Sequence, residues 1–314
     1  MLRFILRRLL GAVPVLLLVS LVAFLIMRLV PGDAATVMAG PSASAADIEA
    51  MRITLGLDRP WWGQLLSWYW RLLHGDLGES LTLGQTVWQA VAERSTVTLS
   101  LASLAMVLTL LIGVPLGIAA AYRQNTWVDA TAMIAALLGV SLPNFWVALM
   151  LTWLFAVSLG WLPSGGYTPF ADDPVDWLRH LILPAVSLSV MQLGLLARMT
   201  RSSMLEVLRQ DFIRTARAKG LSETEVVGMH AFKNALVPIA TTVGIIFSLM
   251  LAGAVVIETV YSLPGVGRMM ISAIQRRDLP VVQGTLVLIG TVFVLINIVI
   301  DLLYAVIDPR VRFR

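Results

Sequence analysis

The chain contains no cysteine, so neither a disulfide framework nor thiolate chemistry is available to it. Charge is scarce too: Asp, Glu, Lys and Arg make up 13% of its 314 residues, where a soluble domain carries about 25%. Lysine occurs only at Lys219 and Lys233, after Ala218 and Phe232. A Walker A loop needs Gly-Lys-Ser/Thr, because backbone N–H groups and the lysine wrap the phosphates, and this sequence has none. The histidines are His74, His180 and His230, and no pair of them has the spacing of metal ligands on a helix. Strand-like alternation, internal repeats and low-complexity tracts are absent.

Apolar residues are what the chain has in excess, at 58%. A water-soluble fold cannot hide that much apolar surface, so lipid is the expected solvent. Six windows carry no Asp, Glu, Lys or Arg: Arg8 to Arg28, Arg94 to Arg123, Asp129 to Asp172, Arg179 to Arg198, Lys233 to Glu258, and Asp278 to Asp301. A helix needs about 20 such residues to cross a hydrocarbon core of roughly 30 Å. Six membrane helices are therefore expected, near 9–30, 97–122, 131–159, 181–198, 236–258 and 281–304. They must be helices because lipid satisfies no backbone polar group.

The net charge of +4 could suggest nucleic acid, but the basic residues fall in particular loops. Arg3, Arg7 and Arg8 begin the chain and Arg310, Arg312 and Arg314 end it. The stretch 198–235 adds Arg198, Arg201, Arg209, Arg214, Arg217, Lys219 and Lys233. Segment 31–96 is acidic instead, with Asp33, Asp47, Glu49, Asp58, Asp76, Glu79 and Glu93. The basic bias puts both termini and 198–235 in the cytoplasm and 31–96 outside, with no nucleic-acid partner. The first apolar stretch exceeds the usual signal-peptide core of about 7–15 residues, so it reads as a span that is retained.

The expected organisation is a cytoplasmic N-terminus and first helix over 1–30, an external segment over 31–96, and a five-helix membrane core over 97–314. In the external segment, helix is expected from Ala45 to Leu55. Trp61, Trp62, Trp68, Tyr69 and Trp70 suit either the water–lipid boundary or packing among themselves. Around Leu263-Pro264-Gly265-Val266-Gly267-Arg268, proline and glycine rule out a continuous helix. Gly265-Val266-Gly267 lacks the third glycine of a dinucleotide loop, so it is not a phosphate site.

The most informative stretch is 203–238. Leu205, Leu208, Phe212 and Ala216 recur at helical spacing, so the fourth span is expected to continue inward as an amphipathic helix. Gly220 suits a helix end that needs positive φ. Ser222 and Glu225 then form a capping box that starts a short helix over about 223–233. Small Ala216, Ala218 and Gly220 would let another backbone approach closely. A helix, a glycine break and a capped helix projecting from a membrane make a docking element.

At these residues the chain resembles a known family. Arg214-Thr215-Ala216-Arg217-Ala218-Lys219-Gly220, followed by His230, Asn234 and Pro238, is similar to the cytoplasmic loop of ABC-importer permeases in the dipeptide, oligopeptide and nickel branch. Leu9-Leu10-Gly11, Pro31-Gly32-Asp33, Leu55-Gly56-Leu57-Asp58, Gly75-Asp76-Leu77-Gly78, Leu183-Pro184, Leu263 to Arg268 and Asp308-Pro309-Arg310 fit the same branch in order along nearly the whole chain. Arg214-Thr215 replace the Glu-Ala of the wider superfamily pattern, and Pro238 lies further from Gly220 than that pattern puts it. The branch shares this departure.

The resemblance implies an all-α membrane protein with the type I importer fold, placed in the inner membrane. It implies a second homologous permease, two ATPases holding ATP and Mg, and an external substrate-binding protein, while this chain is non-catalytic and carries no cofactor or metal. It assigns ATPase coupling to Thr215, Ala216, Lys219, Gly220, Ser222, Glu225, His230, Asn234 and Pro238. Asp76, Gly78, Pro264, Gly265 and Gly267 are candidate contacts of the binding protein. Peptide is the first expected substrate, with nickel or a metal chelate and glutathione as alternatives.

Two rival readings are weaker. Asn297 and Asp301 share a face of the last span, and intramembrane carboxylates often mark ion pathways, as in a stand-alone secondary transporter. The same pair also suits helix-to-helix adhesion near the inner interface. Pro143 and Asn144, which interrupt the third span, are likewise candidates for the pathway or for a packing kink. Ser141 invites comparison with an intramembrane protease, but Pro143 stands where a nucleophile motif wants Gly or Ala. Glu258 and Arg28, near the outer span ends, are expected to reach water.

Overall fold

The computed structural model describes residues 2–29, 33–40, 42–80 and 82–307, except for the side chains at 2–9, 27–29, 34, 38 and 301–307. The elements run α1 (Leu2–Leu29), α2 (Ala34–Ala39), α3 (Ala45–Thr54), α4 (Trp61–Leu73), β1 (Glu79–Ser80), β2 (Gln85–Thr86), α5 (Val87–Tyr122) and α6 (Trp127–Ser141). Then follow α7 (Asn144–Leu151) with a π-helical extension at Thr152–Ser158, α8 (Pro174–Leu208), α9 (Asp211–Ala218) and α10 (Glu223–Glu225). A second π-helix (Val226–Phe232), α11 (Lys233–Val260), α12 (Val266–Arg276) and α13 (Leu279–Ile307) complete the chain.

Among the described residues, four helices are long and apolar enough to cross a membrane: Val87–Tyr122, Pro174–Leu208, Glu223–Val260 and Leu279–Ile300. The pair Trp127–Ser141 and Asn144–Ser158 makes a fifth span if read as one, but it bends by 99° at the break. The first expected span falls on α1, whose described apolar stretch is the shorter Leu10–Ile26. Two further expectations are corrected. The fourth span does not run on past Leu208, because the chain breaks at Arg209–Gln210 before α9. The capped segment at 223–233 is not a separate helix but the beginning of the span that ends at Val260.

The chain divides into two compact units, Met1–Thr96 with Gly265–Ile298, and Val97–Pro264 with Val299–Arg314. The first unit thus combines the expected 31–96 segment with Gly265–Ile298, which lies within the expected 97–314 range.

In the first unit the tryptophans divide by role. Trp68 is buried and packs its ring 5.9 Å from Phe24, while Trp61, Trp62 and Trp70 stay exposed. The two-residue strands pair antiparallel, Glu79 with Thr86 and Ser80 with Gln85. This hairpin is held by Asp278, a fully buried carboxylate whose Oδ2 accepts from Ser80 Oγ and Thr82 Oγ1. Burying that charge is tolerated because hydroxyl and backbone donors surround it. The hydrogen bond from Val281 N makes Asp278 the cap of α13 as well. α12 was not expected. Gly265 is its N-cap, and Val266, Gly267, Met269 and Ala273 form its buried face. Proline and glycine interrupt the helix between Val260 and Val266, as expected, and also mark the start of a new one.

The second unit is built around α8, which packs against α6, α7 and α11. Its core includes Leu101 of α5, Leu181, Leu188, Leu196 and Met204 of α8, and Ile246, Met250 and Ile257 of α11. Glycines bring the backbones close. A Cβ on Gly117 of α5 would lie 2.6 Å from Ala197 O, and one on Gly194 of α8 would lie 2.3 Å from Ala136 O of α6. In lipid, apolar area gives helices little reason to prefer each other over acyl chains, so close backbone approach supplies the packing attraction.

Candidate coupling loop and membrane break

α9 ends in a Schellman motif that follows from its sequence. Gly220 adopts φ +80°, with Leu221 N donating to Ala216 O and Gly220 N to Arg217 O. The capping box forms as expected: Glu225 N donates to Ser222 Oγ at 3.3 Å, and Ser222 N donates to Glu225 Oε2 at 3.0 Å. Arg217 clamps the turn with two hydrogen bonds to Glu223, at 2.8 and 3.2 Å. His230 O accepts from Asn234 Nδ2 at 2.7 Å, joining the π-helix to the first turn of α11.

Ala216 is buried. Its side chain lies in the core of its own unit, among Ile213, Val226 and Ala231. α9 packs on the Val226–Phe232 π-helix, which belongs to the same core. Thr215, Lys219, Gly220, Ser222, Glu225, Asn234 and Pro238 are exposed, and His230 is half-buried. Phe212, placed by its spacing on the apolar stripe, is exposed, and so are Leu221 and Met229, which sequence reasoning passed over. For Leu221 the available signal was a large apolar side chain inside the polar run from Lys219 to Glu225.

The second feature is the broken span. Pro143 is the N-cap of α7, and it ends α6 because it has no N–H to donate and pushes Leu142 out of the helical region. Asn144 lies beside α11: a Cβ on Gly253 would be 3.6 Å from its Nδ2, while its Oδ1 is buried without a hydrogen-bond partner. Irregular backbone at membrane depth is tolerated only where protein or a water-filled cavity covers it. Asn297 is exposed and bonds its own helix at Phe293 O, and the side chain of Asp301 lies outside the described residues. Ser141 Oγ likewise donates to its own helix, at Leu137 O.

Two buried charges in the second unit were missed or misread. Asp129 of α6 takes a bidentate pair from Arg201 of α8, at 2.5 and 2.7 Å, plus the backbone N–H of Asn125. Glu258 does not reach water: it is fully buried and accepts from Thr98 Oγ1 at 2.5 Å. The side chain of Arg28 lies outside the described residues. Tyr261 is a further anchor, with its hydroxyl bonded to Ala148 O and close to Ser187 Oγ. Of the candidate external contacts, Asp76, Gly78, Gly265 and Gly267 flank Leu77 and Val266, which share one buried cluster in the first unit. Pro264 is the last residue before the division and belongs to the second unit.

A family model described as the binding-protein-dependent transport system inner membrane component matches residues 113–313, and the model for its N-terminal part matches 1–102. The chain belongs to this family. Among the permease's relatives, a peptide transport system permease protein of Brucella abortus is 54% identical over 309 residues, 98% of both chains. The dipeptide transport system permease protein DppB of Escherichia coli is 40% identical over 338 aligned residues, the full length of both. A chain of the MetNI methionine ABC transporter matches with TM-score 0.57 and 18% identity, covering 70% of this permease and 97% of that chain. The type I importer fold is thereby shared.

Proposed function

We propose that this permease conducts short peptides inward by alternating access. In this reading it pairs with a second permease, two ATPases bind in the cytoplasm with ATP and Mg, and a substrate-binding protein docks outside. The observation that carries the peptide assignment is end-to-end similarity to relatives named for peptide and dipeptide transport. None of those named above is a nickel or glutathione permease. Selectivity in such a system is shared with the binding protein, and the two helix bundles are a bistable pair biased by nucleotide on one side and loaded binding protein on the other.

The loop from α9 to the π-helix is the ATPase contact in this reading. Lys219 and the exposed Phe212, Leu221 and Met229 form the contacting surface, and Gly220 with the capping box fixes its shape. The basic bias of the termini and of 198–235 supports a cytoplasmic position for both. The test pairs topology with transport. The cysteine-free background allows Ser44→Cys and Ser222→Cys to be probed with an impermeant thiol reagent on intact cells. Labelling at 44 alone is expected, and labelling at 222 alone would refute the orientation and the coupling assignment together. Dipeptide uptake should need the ATPases and the binding protein; proton-driven uptake by this chain alone would favour a secondary transporter.

A further inference from the structure

The first unit contains a cavity of about 540 Å³ that the coupling and pathway readings leave unused. One wall is the exposed Arg59 together with a face of α4. Gln64, Ser67, Trp68 and Arg71 recur there at i, i+3, i+4 and i+7, so one helix face supplies an amide, a hydroxyl, a ring and a guanidinium. The lining continues along the chain entering the hairpin, where Asp76 and Glu79 flank Leu77 and Gly78. Gly78 adopts φ +89°, and a Cβ there would press on Pro280 at 3.2 Å, so that stretch has no room for a larger residue. Phe24 and Leu77 add apolar lining, with Phe24 packed on Trp68.

The lining thus carries both signs, two guanidinium groups and a pair of carboxylates around one concave space. Among the described residues neither Arg59 nor Arg71 is in an ion pair, and neither is Glu79. Asp76 uses one oxygen on Gly78 N, at 2.8 Å. Ligand pockets of about 300–1,000 Å³ suit small molecules, whereas a docked protein needs a broad face of roughly 800 Å² per partner.

The geometry points to a binding site for a small zwitterion, a free peptide of a few residues, held between Arg59/Arg71 and Asp76/Glu79. The arginines take its terminal carboxylate and the acids its terminal ammonium, while Trp68 and Leu77 cover a side chain. That the zwitterion is a peptide rests on the importer reading above. That this chain holds it without the binding protein goes beyond it.

The test is calorimetric titration of the full chain in lipid nanodiscs with alanyl-phenylalanine, its C-terminal amide and its N-acetyl form. Amidation and the double variant Arg59→Gln/Arg71→Gln should each weaken binding about tenfold or more. Combined, they should cost little beyond either alone, because both remove the same contact. Asp76→Asn/Glu79→Gln should couple in the same way to N-acetylation. Equal binding of all three ligands, fully additive losses, or no dipeptide binding to the native chain would each overturn the site. Uptake by the assembled importer is measured in parallel. If uptake persists while the chain alone binds nothing, this site fails and the importer reading stands; if uptake is absent, the importer reading fails.

Discussion

Replacing Gly194 by alanine tests the close approach of α6 and α8. A Cβ at that position would lie 2.3 Å from Ala136 O and 3.0 Å from Val140 Cγ2. Carbon–oxygen contacts between helices settle at about 3.3 Å or more, so α6 and α8 must separate by about 1 Å. Overpacking costs about 1–3 kcal/mol. The upper end applies here, because the obstacle is a backbone carbonyl held in a helix and no side-chain rotation relieves it. Alanine returns up to about 1 kcal/mol of helix propensity, leaving a net loss of about 2 kcal/mol. At about 2–4 °C per kcal/mol, the melting temperature in detergent should fall by about 4–8 °C. Gly228→Ala is the control, since nothing lies within 4 Å of its Cβ position, and it should melt at or slightly above the native temperature. A Gly194→Ala protein melting within about 1 °C of the native chain would refute the close-packing account. So would an equal loss in the control.

Arg201→Met leaves the buried Asp129 carboxylate with only one backbone donor, so stability should fall by about 3–5 kcal/mol; adding Asp129→Leu should recover most of it in the same melting assay. Arg52, 2.7 Å from Asp33, together with the α2 cap hydrogen bonds, holds the Asp33 carboxyl below its ordinary value. That contribution is complete above the unfolded aspartate value of about 3.9 and is lost as pH falls through the lower folded value. Amide exchange over α2 and α3 should therefore quicken on acidification through that window, and Arg52→Gln should shift the change to higher pH. Ser222→Ala removes one half of the capping box and should cost about 1 kcal/mol locally, read as faster exchange at residues 222–226.

Much of the coupling loop was legible because its signals are local. The Gly220 helix end and the Ser222–Glu225 box depend on residues a few positions apart, and both formed as the sequence indicates. The burial of Ala216 was not legible, because α9 packs on a π-helix some ten residues on, and nothing in the composition marks a π-helix. The cavity of the first unit was invisible for a similar reason. Its lining comes from Phe24, from 53–79 and from 279–283, far apart in the chain.

By itself the sequence determined the solvent, since charge-free windows of membrane-spanning length leave helices in lipid as the outcome. It also determined the family, through short motifs in a fixed order, and the absence of a phosphate-binding loop from this chain. Tertiary structure decided which faces pack. A helix in lipid is apolar all round, so its hydrophobic pattern does not say which side meets protein. Only the fold could join Asp129 to Arg201 across 72 positions and bury Glu258 against Thr98. Each depends on contacts between residues distant in sequence, where local propensity is silent.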